Sequence, residues 1–344
     1  MMPSLIIRTD ANSQIGTGHL MRCLALAQSW RSRGGKVVFV TTCSNEDLLG
    51  QLKAEKIQIV RIEHAHPNQA DWEQTHRILD SNSAAWVVLD GYHFDSGYQN
   101  KIKKIGSQLM VIDDMAHINK YYADIILNQN INAGQLNYNV ESCTRLILGP
   151  KYALLRPEFT KRSDRMRPTA QVARKLLITL GGADPDNETL KVMQAVQQAN
   201  IDDLEVVVVI GSANPYRQLL QSVGHASQIP FRLVVNTTEM AELMAWADLS
   251  ISAGGSTCLE LAHMGVPTLC VILAENQRLL AKGLSEAGAA INLGWYRNLP
   301  PLKIAQSLES LALAAGVRED MAQQGRNLVD GKGSERVLLA LVGK

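Results

Sequence analysis

Short apolar runs alternate with longer amphipathic segments along the whole chain. After one polar loop, for example, Leu20, Cys23, Leu24, Ala27 and Trp30 recur at the spacing of a helix. The short runs are apolar on both faces, which is typical of a parallel sheet covered by helices. The predicted strands comprise residues 4–8, 36–41, 57–62, 85–89, 109–112, 124–127 and 145–148 in the first half, and 175–180, 204–210, 232–235, 249–252 and 267–273 in the second.

The alternation stops at residues 149–174 and then starts again. This stretch holds prolines and a basic run, residues 161–167, which indicate a connector between domains. A chain of 344 residues is also too long for one ordinary core. We therefore predict an α/β chain with two Rossmann-like, doubly wound parallel-sheet domains, residues 1–158 and 175–344, joined by a linker at residues 159–174.

Each predicted half opens with a strand followed by a glycine turn. In sheets of this kind, ligands bind beyond the carboxyl ends of the strands. We therefore expect the two domains to face one central cleft. The final segment, residues 301–341, is helical by pattern, and two positions stay open for its last helix: packing on its own domain or a return to the first domain.

The charge balance narrows the classes of partner. With 34 basic and 33 acidic residues the formal net charge is +1, without the basic surface that nucleic acids or anionic membranes require. No run approaches the roughly 18 apolar residues of a membrane helix. The first apolar run is cut off by Arg8 and Asp10, unlike a signal peptide. Five cysteines without a C-x-x-C pair indicate reduced thiols and a cytoplasmic protein.

A strand, a glycine turn and a helix start follow one another around Gly254, Gly255, Ser256 and Thr257. Paired glycines allow positive φ and a close approach of the backbone to a ligand. The first amides of a helix lack intrahelical partners and lie at its positive dipole end, which favours phosphate. Glu260, one turn further, is placed to accept hydrogen bonds from sugar hydroxyls. The alternative is a plain capping box formed by Thr257 and Glu260.

His19 lies just inside the first predicted helix, after the glycines Gly16 and Gly18. A helix N-terminus disfavours the imidazolium form, so the neutral ring could accept a proton as a general base. Asp10, in the same loop, is a candidate to bind a sugar hydroxyl or to orient His19. Taken alone, a histidine at a helix start is more often a cap or a surface residue.

The spacing of the glycines, histidines and aspartates argues against dinucleotide, P-loop and metal sites. Gly16 and Gly18 lack the third glycine of a dinucleotide fingerprint, and no G-x-x-x-x-G-K-[ST] occurs. The histidines are not spaced like zinc ligands. Asp113 and Asp114 are adjacent, so a strand would point them to opposite faces. They are more typical of a strand end or a capped turn than of a magnesium site, and we predict activity without a metal.

Several segments together resemble one family. They are residues 16–22 (GTGHLMR), 89–92 (LDGY), 111–114 (VIDD), 148–156 (LGPKYALLR), 181–184 (GGAD), 252–257 (SAGGST) and 275–277 (ENQ). In this order they are similar to the PseG-type nucleotide-sugar hydrolases. The resemblance implies the two-domain GT-B fold of MurG-like enzymes. It also implies release of UDP from UDP-2,4-diacetamido-2,4,6-trideoxy-β-L-altropyranose in pseudaminic acid biosynthesis, which serves flagellin glycosylation, with no cofactor and the UDP-sugar as partner.

The resemblance also implies roles for individual residues. It makes His19 the catalytic base and places Asn276, with Gln277, near the reacting sugar, where Asn276 would orient the water or an acetamido group. Asn276 is otherwise a helix N-cap. Glu260 would hold the ribose hydroxyls.

Three further residues are candidates for the same substrate. Tyr92, beyond a strand end, is a candidate sugar contact or a plain loop aromatic. Asp184 and Asn187 follow the first strand of the second half, and their ordinary interpretation is a turn with an N-cap.

Alternative functions stay open at this point. A GT-B glycosyltransferase would use the same UDP-sugar and base with an alcohol acceptor. A hydrolysing UDP-sugar 2-epimerase would eliminate UDP and invert C2, and a UDP-sugar sensor would bind without turnover. A legionaminic or spore-coat variant of the substrate is also open, since loop shape rather than motifs sets sugar specificity. The oligomeric state is not readable from the sequence.

Overall fold

The computed structural model divides into two compact units. The first comprises Met1–Pro157 together with Gly331–Lys344, and the second comprises Glu158–Asp330. Most of the predicted basic run in the linker, residues 163–167, lies outside the described residues. The structure describes residues 3–12, 15–82, 84–162, 168–212 and 214–343.

The helices and strands follow the predicted alternation. The strands are β1 (Ser4–Thr9), β2 (Val37–Thr41), β3 (Gln58–Arg61), β4 (Ala84–Asp90), β5 (Gln108–Ile112), β6 (Ile125–Asn128), β7 (Arg145–Leu148), β8 (Lys175–Thr179), β9 (Glu205–Ile210), β10 (Phe231–Val235), β11 (Leu249–Ala253), β12 (Thr268–Ile272) and β13 (Ile291–Trp295). The helices are α1 (Gly18–Ser32), α2 (Glu46–Ala54), α3 (Gln69–Ser81), α4 (Ser96–Lys104), α5 (Pro157–Thr160), α6 (Glu188–Val196), α7 (Arg217–Ala226), α8 (Met240–Trp246), α9 (Thr257–Met264), α10 (Arg278–Glu286), α11 (Pro301–Leu313), α12 (Ala315–Leu328) and α13 (Gly333–Val342).

Each unit contains one parallel, doubly wound sheet, which confirms the predicted fold class. The strand order is β3-β2-β1-β4-β5-β6-β7 in the first unit and β10-β9-β8-β11-β12-β13 in the second. Both faces of the sheets are covered: Leu5 and Ile7 of β1 belong to one apolar cluster, and Ile6 belongs to another. Strands buried on both faces explain the uninterrupted apolar runs in the sequence. In the part of the chain that the structure describes, no helix is both long and apolar enough to span a bilayer.

The strand order reverses direction between β1 and β4 in the first unit, and between β8 and β11 in the second. At such a switch point the loops that follow two neighbouring strands diverge and leave a crevice for a ligand. In the first unit Thr9 of β1 is paired in register with Asp90 of β4. The segments after these two strands therefore start side by side.

The last helix belongs to the first unit. Val337 and Leu338 of α13 are buried in the same apolar cluster as Leu20 and Leu24 of α1. Ser334, near the start of α13, donates a hydrogen bond to the carbonyl of Leu155 at 3.1 Å. The final segment, whose position the sequence left open, thus completes the core of the first unit.

The close approach of α13 requires a glycine at its first residue. A Cβ at Gly333 would lie 2.2 Å from the carbonyl oxygen of Ala153 and 2.5 Å from its amide nitrogen. Backbone atoms cannot move aside as a flexible side chain can. Gly333→Ala should therefore lower the free energy of unfolding by about 1–3 kcal/mol, measured by urea unfolding followed by circular dichroism.

The matched control is Gly316→Ala near the start of α12, where an added Cβ meets nothing within 4 Å. That change should be neutral or stabilising by up to about 1 kcal/mol, because alanine favours a helix over glycine. Equal destabilisation by both substitutions would contradict the packing argument.

Candidate active site

His19 and Asp90 form a buried pair at the switch point of the first unit. His19 is the second residue of α1, and Asp90 is the last residue of β4. Nδ1 of His19 lies 2.6 Å from Oδ1 of Asp90, with side chains 8% and 0% exposed. A carboxylate at Nδ1 fixes the tautomer in which Nε2 carries the lone pair. Within the described residues Nε2 has no hydrogen-bond partner, so this nitrogen is available to a ligand.

The group that orients the His19 ring therefore differs from the expected one. The sequence suggested that the helix dipole acts on the ring and that Asp10 is a candidate to orient it. The carboxylate that orients the ring is Asp90, because β4 is the neighbour of β1 and ends beneath the start of α1. A partner carboxylate stabilises an imidazolium once it forms, whereas the helix dipole opposes it.

Arg22 holds Asp90 in place. Its Nε and Nη2 donate to the two oxygens of Asp90 at 2.7 Å each, and its Nη1 donates to Asp114 at 2.8 and 3.0 Å. Burial disfavours the ionised form of Asp90, but the charge of Arg22 and the hydrogen bonds from Arg22 and His19 outweigh it and hold the pKa of Asp90 well below its usual range. Asp90 therefore remains a carboxylate beside His19.

Tyr92 and Asn130 complete this cluster through Asp114. The Tyr92 hydroxyl donates to Asp114 Oδ2 at 2.6 Å, and Asn130 Nδ2 donates to Asp114 Oδ1 at 3.2 Å. The Tyr92 ring meets the His19 ring edge-on, with centroids 4.9 Å apart. Tyr92, a sequence candidate, thus lies beside His19, although its contact with a sugar stays a prediction.

Asp113 and Asp114 directly follow β5, and their side chains bind different partners. Asp113 caps a turn by accepting the amides of Met115 and Ala116 at 2.7 and 3.1 Å, and it also accepts the hydroxyl of Tyr121. The predicted capped turn is therefore confirmed for Asp113, whereas the place of Asp114 in the His19 cluster was not predicted. The available signal was an acid at the carboxyl edge of β5, next to the strand that ends in Asp90.

The glycine loop before α1 is only partly described, because residues 13 and 14 lie outside the described residues. Gly16 has φ +78°, and its amide donates to the carbonyl of Asn12 at 2.9 Å. Gly18 is the first residue of α1, and no side chain caps this helix start within the described residues. Asp10 directly follows β1, and its Oδ1 accepts the amide of Thr42 at 2.7 Å.

In the turn from Gly254 to Thr257, the backbone φ angles of the glycines differ from the prediction. Neither Gly254 nor Gly255 has a positive φ. Gly254 is required for space instead, because a Cβ there would lie 3.2 Å from Cys270 Sγ and from the Cβ of Gln277. Gly255 has nothing within 4 Å of an added Cβ, so its backbone is open to an approaching group.

The start of α9 retains free amides. Ser256 precedes the helix, and its side chain does not cap it. The amides of Ser256 and Thr257 donate to no group in the described part of the chain. Glu260 is half-buried in the first turn. A helix start with free amides suits an anion.

Asn276 and Gln277 lie in a short 3-10 turn, Glu275–Gln277, before α10. The Gln277 side-chain oxygen accepts the amide of Leu273 at 2.8 Å, which fixes this turn against Gly254. Asn276 is half-buried, and Gln277 rather than Asn276 is the residue that immediately precedes α10.

Asp184 and Asn187 precede α6. The carboxylate of Asp184 accepts the amides of Glu188 and Thr189 at 2.9 and 2.8 Å, so it caps the helix. Asn187 has a left-handed backbone, and its Oδ1 is buried without a partner among the described residues. The interpretation as a helix cap is thus confirmed for Asp184. Contact of Asp184 or Asn187 with the substrate stays a prediction.

Within the described residues, no group of three or more His, Cys, Asp or Glu side chains is arranged to hold a metal ion. The acids nearest His19 are instead engaged by Arg22. Activity without a metal stays a prediction.

Comparison with known proteins relates this chain to enzymes of sugar metabolism. A model of the glycosyltransferase family 28 C-terminal domain matches residues 175–333. The chain is 27% identical over 338 residues to the spore coat polysaccharide biosynthesis protein SpsG of Bacillus subtilis (strain 168), spanning 97% of this chain and 96% of that protein.

A further relative is the UDP-2,4-diacetamido-2,4,6-trideoxy-beta-L-altropyranose hydrolase of Campylobacter jejuni subsp. jejuni serotype O:2. It is 23% identical over 287 residues, 83% of this chain and 97% of that protein. The crystal structure of Acinetobacter baumannii MurG superposes with a TM-score of 0.68 at 17% identity, covering 99% of this chain and 100% of that one. The chain therefore has a GT-B glycosyltransferase-like fold.

Removal of the Arg22 charge should destabilise the first unit in a pH-dependent way. Arg22→Leu leaves Asp90 and Asp114 buried without a countercharge, so the free energy of unfolding should fall by about 3–5 kcal/mol near neutral pH. In the unchanged protein the depressed pKa of Asp90 adds stability above its unfolded pKa of about 3.9, and this stability is lost as the pH falls through the folded pKa. In the variant, burial raises the pKa of Asp90, so stability should instead increase on acidification from about pH 7 to about pH 5.

Urea unfolding at several pH values measures both effects. The control is Arg33→Leu, which removes an exposed arginine whose guanidinium lies 3.1 Å from Glu335. That substitution should change the free energy of unfolding by less than about 1 kcal/mol. A similar pH profile for both variants would argue against the Arg22 bridge.

Proposed function

We propose that this chain is a hydrolase that releases UDP from UDP-2,4-diacetamido-2,4,6-trideoxy-β-L-altropyranose by attack of water at the anomeric carbon. The observation that carries the proposal is the His19–Asp90 pair, in which Nδ1 is 2.6 Å from a buried carboxylate and Nε2 has no partner in the described part of the chain. The proposal is supported by the name of the Campylobacter jejuni relative.

In this mechanism Nε2 of His19 takes a proton from water as the water oxygen bonds to C1 of the sugar. The bond between C1 and the phosphate oxygen breaks, and UDP leaves with the electron pair. The charge of the imidazolium is balanced by Asp90, which Arg22 keeps ionised. The edge-on Tyr92 ring restricts the orientation of the imidazole. A positioned base of this kind contributes about 10²–10⁴ in rate.

The second unit would bind UDP. The free amides of Ser256 and Thr257, with the positive end of the α9 dipole, offset the negative charge that develops on the leaving diphosphate. Glu260 would accept hydrogen bonds from the ribose hydroxyls. Asn276, in the turn fixed by Gln277, would orient the water or an acetamido group.

A glycosyltransferase is the second candidate, and it is supported by the match of residues 175–333 to the glycosyltransferase family 28 C-terminal domain and by the similarity of the chain to MurG. A transferase would use the His19–Asp90 pair to deprotonate an alcohol instead of water. The two functions differ in whether UDP forms without an acceptor.

The test is a time course of UDP formation by the purified protein against a panel of UDP-sugars, without an acceptor and in excess EDTA. We expect UDP release from a diacetamido sugar at the same rate with EDTA as with magnesium. UDP release only after addition of an alcohol would identify a transferase. Deuterium incorporation from solvent at C2 would identify an epimerase, and loss of turnover in EDTA would contradict a metal-free mechanism.

His19→Asn and Asp90→Asn should each lower kcat for UDP release by about 10²–10⁴, since one removes the base and the other removes the charge that balances it. The affinity for UDP should remain unchanged, because UDP binds through the second unit. The control is His76→Asn on α3, a histidine whose side chain is 39% exposed, which should retain full activity. Turnover near the unchanged rate in His19→Asn would remove this residue from the mechanism.

A further inference from the structure

A second histidine, His117, contacts the loop that carries Tyr92. Its Nδ1 lies 3.3 and 3.4 Å from the two carboxylate oxygens of Asp113, and its Nε2 lies 3.0 Å from the backbone carbonyl oxygen of Tyr92. The rings of His117 and Tyr92 also meet edge-on, with centroids 5.7 Å apart. Since Tyr92 packs edge-on against His19 as well, it connects the two histidines.

Both partners of the His117 ring are acceptors. A backbone carbonyl can only accept a hydrogen bond. Asp113 is kept ionised, because the amides of Met115 and Ala116 and the hydroxyl of Tyr121 all donate to it. Burial raises the pKa of Asp113, but its hydrogen bonds, with that from His117 foremost, outweigh burial and lower this pKa.

Only the charged form of His117 satisfies both contacts. A neutral imidazole has one N–H and one lone pair, so against two acceptors one of its nitrogens is repelled, whereas an imidazolium donates from both nitrogens. The hydrogen bond to Asp113 raises the pKa of His117 above its ordinary value of 6.5, although burial opposes this. Asp114 adds a smaller effect of the same sign, because its charge is shared with Arg22.

The backbone before His117 is held in an unusual conformation. Ala116 has φ +52°, which lies in the left-handed region that a residue with a Cβ adopts only at a cost. Such strain persists where surrounding contacts determine it, and it is concentrated at functional sites. Here the two amides bound by Asp113 determine it. The strained turn places the next residue, His117, against Tyr92.

We propose that His117, as an imidazolium, is a positioning residue for the general base: it holds the backbone of Tyr92, whose ring in turn restricts the ring of His19. When His117 loses a proton, the remaining proton stays at Nδ1 beside the charged acceptor. The lone pair of Nε2 then faces the carbonyl oxygen of Tyr92, and this contact is lost.

The inference rests on the proposed hydrolase, in which His19 takes a proton and therefore acts in its neutral form. Turnover would thus require the two histidines in opposite protonation states. The contact of His117 with Tyr92 is made below the pKa of His117 and lost above it. Turnover should therefore fall as the pH rises through this pKa, which lies above 6.5. The side chain of His117 is 30% exposed, so the ring can exchange its proton with solvent.

The pH profile of kcat for UDP release, from about pH 6 to about pH 9, tests this role. In the unchanged protein kcat should fall about 3–10-fold on the alkaline side, as expected for the loss of one hydrogen bond. His117→Gln keeps a donor for the Tyr92 carbonyl at every pH, so its kcat should change less than about twofold over the same range. His117→Phe has no donor and should show a low kcat without the alkaline decrease.

The control is His76→Gln on α3. His76 has the same spacing to an acid as His117, with Nε2 3.7 Å from Asp80, but it lies on another element. This variant should retain the alkaline decrease in kcat. Retention of the decrease in His117→Gln, with the same midpoint, would overturn the positioning role.

A second measurement does not depend on turnover. The ring ¹H–¹³C signals of Tyr92, identified by Tyr92→Phe, are followed against pH in protein that carries His19→Asn, so that His19 does not contribute. They should shift with the same midpoint as the Cε1–H signal of His117, above pH 6.5, and this shift should disappear when His117→Gln is added.

The outcomes separate the two proposals. A His117 signal that titrates below pH 6.5, or a Tyr92 shift that persists with His117→Gln, would overturn the positioning role. A lack of turnover by the unchanged protein would instead overturn the hydrolase, and the titration of the Tyr92 signals would still decide whether His117 controls Tyr92.

Discussion

The arrangement of the first unit depends on one buried ion cluster. Two carboxylates, Asp90 and Asp114, are removed from water and share a single guanidinium, that of Arg22. A buried charge is tolerated only when its partners satisfy it in good geometry, and the planar fork of arginine can serve two acids at once. This requirement fixes α1 over the ends of β4 and β5. The ring of His19, three residues before Arg22 on the same helix, is placed as a consequence.

Most of the fold is predictable because its strands are buried on both faces. Runs such as residues 206–210 are apolar without interruption, and this pattern is typical of a covered parallel strand. The elements that the sequence analysis did not identify are the less buried ones. β13, for example, is half-buried at the sheet edge and contains Gly294. The position of α13 was not predictable, since an amphipathic helix shows the same pattern whichever surface it covers.

The site was predictable in its residue types but not in its pairings. His19 could be identified from its place after two glycines, whereas its partner depends on the register of Thr9 with Asp90, which a sequence does not display. The same limit applies to Asp10, which has the right chemistry but engages Arg8 and faces His93. At Gly254 the glycine is required, but the reason is lack of room for a side chain rather than an unusual φ. Sequence reports which groups are present, and the sheet order decides which ones meet.

Because α13 returns to the first unit, that unit consists of two segments that are synthesised at different times. During translation, residues 1–157 emerge first, yet the apolar surface of α1 is not covered until residues 331–344 have left the ribosome. The second unit is in effect an insertion within the first. The nascent first unit therefore exposes a hydrophobic surface for the time needed to synthesise about half of the chain, which makes that interval the one in which a chaperone would be of most use.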